Sequence, residues 1–96
     1  MQVQILDEAE QDLLEGAQFY EKQVAGLGHH FLDSLFSDID SLQIYAGTHS
    51  VHFRYHRLLS KRFPFAVYYR VERNVARVRA ILDCRQDPAK IKKRLN

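Results

Sequence analysis

The side chains best suited to chemistry in this chain are cationic, and one half of the chain holds nearly all of them. Residues 51–96 contain thirteen Lys and Arg against three acids, whereas residues 1–50 contain Lys22 against nine Asp and Glu. Arg54, Arg57, Lys61, Arg62, Arg77, Arg79 and Arg85 are interleaved with Phe53, Tyr55, Phe63, Phe65, Tyr68 and Tyr69. Guanidinium groups grip phosphate or carboxylate through paired N–H donors, and aromatic faces stack on bases. The mixture points to single-stranded nucleic acid or an acidic protein as partner; the competing reading is a solvated surface of internal ion pairs.

Other chemistries fit less well. His29, His30, His49, His52, His56, Asp83 and Cys84 are metal-ligand types, yet none has the spacing of a zinc site. His52 and His56, on one face of a single strand, would stand about 13 Å apart, so no metal or other cofactor is expected. Cys84, at a strand end, reads as a small buried hydrophobe with no base beside it. Asp87 is better placed to cap a helix than to work with Asp83 as an acid–base pair. Gly26-Leu27-Gly28 lacks the third glycine of a phosphate-binding loop and reads as a helix break.

These residues need elements to position them. With 96 residues, 46% hydrophobic and 27% charged, the chain has the composition of one globular domain, 1–96. A single cysteine forms no internal bridge, no apolar run approaches the ~20 residues that span a bilayer, and the first ten residues are acidic. A cytoplasmic protein without a membrane partner is expected. Residues 2–6 read as a short strand, and Asp7 as a cap. Ala9, Leu13, Ala17, Tyr20 and Val24 form one stripe of a helix, from which Phe19 lies about 120° away, facing a second surface. Leu27, Phe31, Leu35, Ile39 and Leu42 make a second helix to about Tyr45, folded back on the first. Residues 51–82 then alternate as three antiparallel strands, the first extended towards Phe63, and Asp87-Pro88 starts a short basic helix. The expected fold is α+β, with the hairpin on one face of a small antiparallel sheet and the cations on the open face.

Asp12-Leu13, the Tyr20 region, Gly26-Leu27-Gly28-His29-His30-Phe31, the run Arg57 to Tyr69 with Lys61-Arg62-Phe63-Pro64-Phe65 at its centre, and Arg85-Gln86-Asp87-Pro88 together resemble the RelE/ParE superfamily of toxins from bacterial type II toxin–antitoxin (plasmid stabilisation) systems. The likeness runs in order along nearly the whole chain and is strongest to the ParE-like branch. It implies a growth-inhibitory α+β toxin neutralised by a cognate antitoxin. ParE-like members poison DNA gyrase, and RelE-like members cleave mRNA in the ribosome. Where ParE-like sequences often carry histidine and a second arginine, this chain has Asp83 and Gln86, and the position after Phe65 is Ala66 rather than the arginine frequent in the ribonucleases.

The expectation is therefore a toxin that binds DNA gyrase through Arg57, Lys61, Arg62 and Arg85, with the antitoxin on Phe19, Arg54, Arg77 and Arg79. The alternatives are a metal-independent, ribosome-dependent mRNA endoribonuclease using Arg57, Lys61, Arg62, Arg85 and His56, or a non-toxic basic nucleic-acid-binding or assembly module. RNA cleavage needs an acid–base pair beside its cation, and only His56 is a candidate.

Overall fold

The change from helical to alternating periodicity near residue 50 divides the chain into a helical layer and a sheet. The computed structural model describes all 96 residues, and its elements run β1 (Gln2–Ile5), α1 (Asp7–Gln23), α2 (Leu27–Asp40), α3 (Leu42–Tyr45), β2 (Val51–His52), β3 (Tyr55–Leu59), β4 (Phe65–Glu72), β5 (Val75–Asp83) and α4 (Pro88–Leu95). The α+β architecture is as expected. The sheet order is β1-β5-β4-β3-β2. All neighbours are antiparallel except β1, which lies parallel to β5 with Gln2 opposite Val75 and Ile5 opposite Val78. That pairing corrects the purely antiparallel expectation and places β5, with its arginines, inside the sheet beneath α1. No helix is long and apolar enough to cross a membrane.

The glycine break works through a carboxylate. Gly26 takes φ +89°, a left-handed conformation that side-chain-bearing residues adopt at a cost. Glu21 then accepts the N–H groups of Gly26 and Gly28, both at 2.9 Å, at the start of α2. These backbone bonds hold the Glu21 carboxyl below its ordinary pKa. Close approach fixes Gly16 as well, since a Cβ there would sit 2.6 Å from Cζ of Phe31.

Three local expectations are corrected. Asp7 is not the cap of α1; Leu6 holds that position with no side-chain bond, and Asp7 joins Glu8 and Glu10 in the first turn, where negative charge suits the helix dipole. The second helix stops at Asp40, and Leu42–Tyr45 form a separate turn of helix. Residues 51–63 are not one strand, because Phe53 and Arg54 make a two-residue turn that pairs His52 with Tyr55. His52 and His56 therefore lie on different strands.

Alternation on the sheet sends side chains to two faces. Phe65, Val67 and Tyr69 of β4 join Ala9, Leu13, Tyr20, Phe31, Leu35 and Ile39 in the larger core beneath the hairpin. On β5 the phase is reset: Tyr68 pairs with Ala80 but Tyr69 with Val78, leaving Arg79 as the extra residue of a bulge. Val78 and Ile81 thus face the helices while Ala80 and Leu82 face away.

The outward face is only partly open, and here the expectation fails most clearly. Ile91 and Leu95, one turn apart on α4, close over Tyr55, Ala66, Tyr68, Ala80 and Leu82 in a second apolar cluster. Burying two such side chains stabilises by roughly 3–6 kcal/mol. Asp87 caps α4 through Ala89 N–H at 2.9 Å, with Pro88 in the first turn, as the sequence implied. Cys84, expected inside, is exposed just beyond β5.

Candidate partner-binding surface

The cations divide by strand. On β5 and α4 each arginine has an internal partner. Arg77 reaches Gln4 and, at 3.5 Å, Glu72; Arg79 reaches Glu8 at 3.2 Å and the carbonyl of Arg94 at 3.2 Å. Arg94 is held best, donating to both oxygens of Asp12 at 2.8 Å and to Glu8 at 3.2 Å. Asp12 also accepts the N–H of Ile81, just past the bulge, at 3.0 Å. Glu8 and Asp12 are one turn apart on α1, so one helix face supplies both carboxylates. The contact with Arg79, then Arg94, holds the Glu8 carboxyl below its usual pKa, and Asp12 first, then Glu8, raise that of Arg94.

Arg85 also has a partner. Its guanidinium donates to both oxygens of Asp83, at 2.8 and 3.0 Å, and that bond is the main cause of the lowered Asp83 pKa. The residue standing where the ParE-like pattern has histidine thus ties down the arginine two positions on. Arg77 and Arg79, expected on the antitoxin surface, and Arg85, expected on the target surface, are all engaged within the chain.

Cations on β3, β4 and their turns are different. Arg54, Arg57, Lys61, Arg62 and Arg70 form no ion pair. Lys61 and Arg62 are exposed in the turn between β3 and β4. Arg57 is half-buried on the outer face opposite Tyr68, and its Nε is shut off from solvent with no partner within the chain. Burial raises the Tyr68 hydroxyl pKa, and Arg57 beside it pulls the other way. Desolvation also raises the Cys84 thiol, although the residue as a whole is exposed, so Cys84 is not an activated nucleophile. Arg70, which the sequence reading passed over, lies 4.0 Å over the Tyr55 ring and donates to the carbonyl of Arg54 at 3.1 Å. Its signal was its place five residues after Phe65, where strand alternation puts it on the face of Arg57.

His56 sits on the other side of the sheet. Its ring stacks on Tyr69 at 5.1 Å and its Nδ1 donates to the carbonyl of His49 at 2.7 Å. Adjacent residues of a strand face opposite ways, so His56 is no general base for Arg57. Phe19 is 52% exposed, edge-on to Tyr20 at 5.2 Å, and borders a cleft of about 240 Å³ with Asp12, Glu15, Phe65 and Asp83. The surface that emerges is cationic, with exposed Leu59 among the charges, and it has no acid–base pair.

A chain of the chromosomal ParDE TA system from P. aeruginosa has this fold: the two superpose with a TM-score of 0.76 at 19% identity, over 84% of this chain and 92% of that one. No protein-family model matches the sequence, and no curated protein does.

Proposed function

We propose that the chain is the toxin subunit of a type II toxin–antitoxin system, that it acts by binding its target rather than by cutting RNA, and that DNA gyrase is that target. The observation that carries the reading is Arg57. A half-buried guanidinium whose Nε has no partner in the chain is costly unless something else completes it. It lies on the strand that leads into Lys61 and Arg62, which are also unpaired. The likeness in fold to a chain of a ParDE system supports the toxin assignment. Against the ribonuclease alternative stands the placement of His56 across the sheet from Arg57. A cognate antitoxin is proposed to use Phe19 and Arg54, the two expected contacts that have no ion pair or burial to satisfy them inside the chain, and by covering Arg54 it would mask part of the target-binding face.

Expression without a partner protein tests the reading. Loss of negative supercoiling or gyrase-linked DNA breaks, with mRNA intact, is the expected result. Codon-phased mRNA cleavage would overturn it in favour of the ribosome-dependent endoribonuclease, and normal growth would leave the non-toxic binding module.

A further inference from the structure

We propose that the Phe53-Arg54 turn is a wedge by which the chain enters an apolar recess on an acidic protein surface; this rests on the target-binding reading above. Two turns of the sheet have the same form, a two-residue connection with both residues at positive φ. One is Arg73-Asn74, at +50° and +64°; the other is Phe53-Arg54, at +55° and +72°. Such turns favour Asn and Gly, which tolerate the left-handed region. Arg73-Asn74 follows that preference in part, and Phe53-Arg54 in neither residue. A bulky aromatic held there is a strained choice for folding, and strain of this kind concentrates at functional sites.

The surroundings hold the turn in place and leave its side chains available. Arg70 anchors the Arg54 carbonyl at 3.1 Å and is itself fixed over Tyr55. Arg54, Arg57 and Arg70 have no carboxylate partner. Phe53 is 38% exposed at the end of the molecule's short edge hairpin. An aromatic flanked by arginines is the composition of a protein-binding hot spot. Single-stranded nucleic acid would want a row of open rings. Here, on the outer face, Tyr68 is buried and Tyr55 lies beneath Arg70, so Phe53 at the hairpin tip is the one open ring beside them. Leu59, 54% exposed on the same face, suits protein and not bases.

The test measures binding to purified DNA gyrase, growth inhibition and melting temperature for wild type, Phe53→Asn, Arg54→Glu and Arg73→Asn. Phe53→Asn is expected to melt within about 4 °C of wild type, because relief of strain offsets lost contact, and to bind at least about tenfold more weakly. Arg54→Glu alters an exposed side chain and loses binding by a similar factor through like-charge repulsion. Arg73→Asn, the matched change in the other turn, leaves binding as it was. Wild-type affinity in Phe53→Asn or in Arg54→Glu overturns the wedge. So does Phe53-dependent binding of a single-stranded oligonucleotide in place of protein. If wild type inhibits growth without binding gyrase, the gyrase assignment fails on its own and growth inhibition decides the wedge: its loss in both variants supports it and its persistence overturns it. A wild-type chain that does neither overturns both.

Discussion

Arg57 and Arg94 are both partly buried arginines on the outward side of the same sheet, and their surroundings are opposite. Arg94 keeps 27% of its side-chain surface exposed and is met by two carboxylates; Arg57 is met by none, and its Nε is orphaned. The reason lies in the topology. Parallel pairing of β1 puts β5 under α1, so Glu8 and Asp12 project towards β5 and α4, while β3 and β4 run beyond their reach. The arginines of β5 and α4 are consumed in holding the fold. Those of β3 and β4 have no ion pair, and a rule of local satisfaction broken in this way is most often broken at a functional site.

The largest effect should come from breaking the satisfied half. In Asp12→Ala, Arg94 retains only Glu8, and the Ile81 N–H beside the bulge loses its acceptor. A partly buried pair broken on one side costs about 2–4 kcal/mol, which corresponds to a melting temperature lower by about 10–20 °C for a domain of this size. Thermal melts followed by circular dichroism measure it. Asp12→Asn, which keeps an acceptor for Ile81, should recover part of the loss. If Asp12→Ala melted with wild type, the ion pairs would be ornamental and the contrast between the halves would fail.

Arg57→Ala should do the reverse. No carboxylate partner is lost, only a contact with the Tyr68 hydroxyl, so melting is expected within about 4 °C of wild type, while growth inhibition falls at least about tenfold. A variant that unfolds with loss of toxicity would assign Arg57 to the satisfied half. Full toxicity in Arg57→Ala, Lys61→Ala and Arg62→Ala together would remove the target surface from this face.

Much of the architecture was legible in the chain because it is written in local periodicity. The spacing of Leu13, Ala17 and Tyr20, the Gly26 break, the exposure of Phe19 and the Asp87-Pro88 helix start all depend on neighbours within a turn or two. What escaped depends on contacts distant in sequence. Asp12 and Arg94 are 82 residues apart, and no local pattern pairs them, so the arginines of β5 read as a free surface. The four-residue spacing of Ile91 and Leu95 did signal a buried face on α4, and it was masked by the lysines between them. The Phe53-Arg54 turn was missed for a physical reason too, since neither residue type announces a turn. For the site, the strand carrying Arg57 was readable; which of the cations remained unpaired was not.

Acid offers a gentler way to separate the halves. The 46–50 segment leading to β2 is pinned without ion pairs: the Tyr69 hydroxyl accepts from Gly47 N–H at 2.9 Å and sits 2.5 Å from Nδ1 of His49, while His56 bonds the His49 carbonyl. Burial first, then the nearby His56, hold the His49 pKa below 6.5. The unfolded chain therefore binds a proton on His49 before the folded one does, and stability present above about pH 6.5 is lost as pH falls below it. Melting temperature should drop by a few degrees between about pH 7.5 and about pH 5.5, and His49→Asn should flatten that part of the profile. Raising salt instead weakens the Glu8, Arg79 and Arg94 network. A slope unchanged in His49→Asn would place the acid sensitivity elsewhere.

The smallest effect is expected at Arg85, and it bears directly on where the division between the two halves runs. Arg85 is exposed and its guanidinium is engaged by Asp83, two residues away on the same segment. An exposed pair between near neighbours contributes little to folding, so Arg85→Ala should melt indistinguishably from wild type. If the carboxylate keeps Arg85 from a target, toxicity should also persist, in contrast to Arg57→Ala. The informative change is then Asp83→His, which removes the anion and frees the guanidinium. Stronger growth inhibition or tighter target binding in Asp83→His, lost again in Asp83→His with Arg85→Ala, would show that Asp83 restrains Arg85 in the native chain. If Arg85→Ala alone abolished toxicity, internal pairing would be no guide to function, and the boundary drawn between the two halves would have to move to include β5.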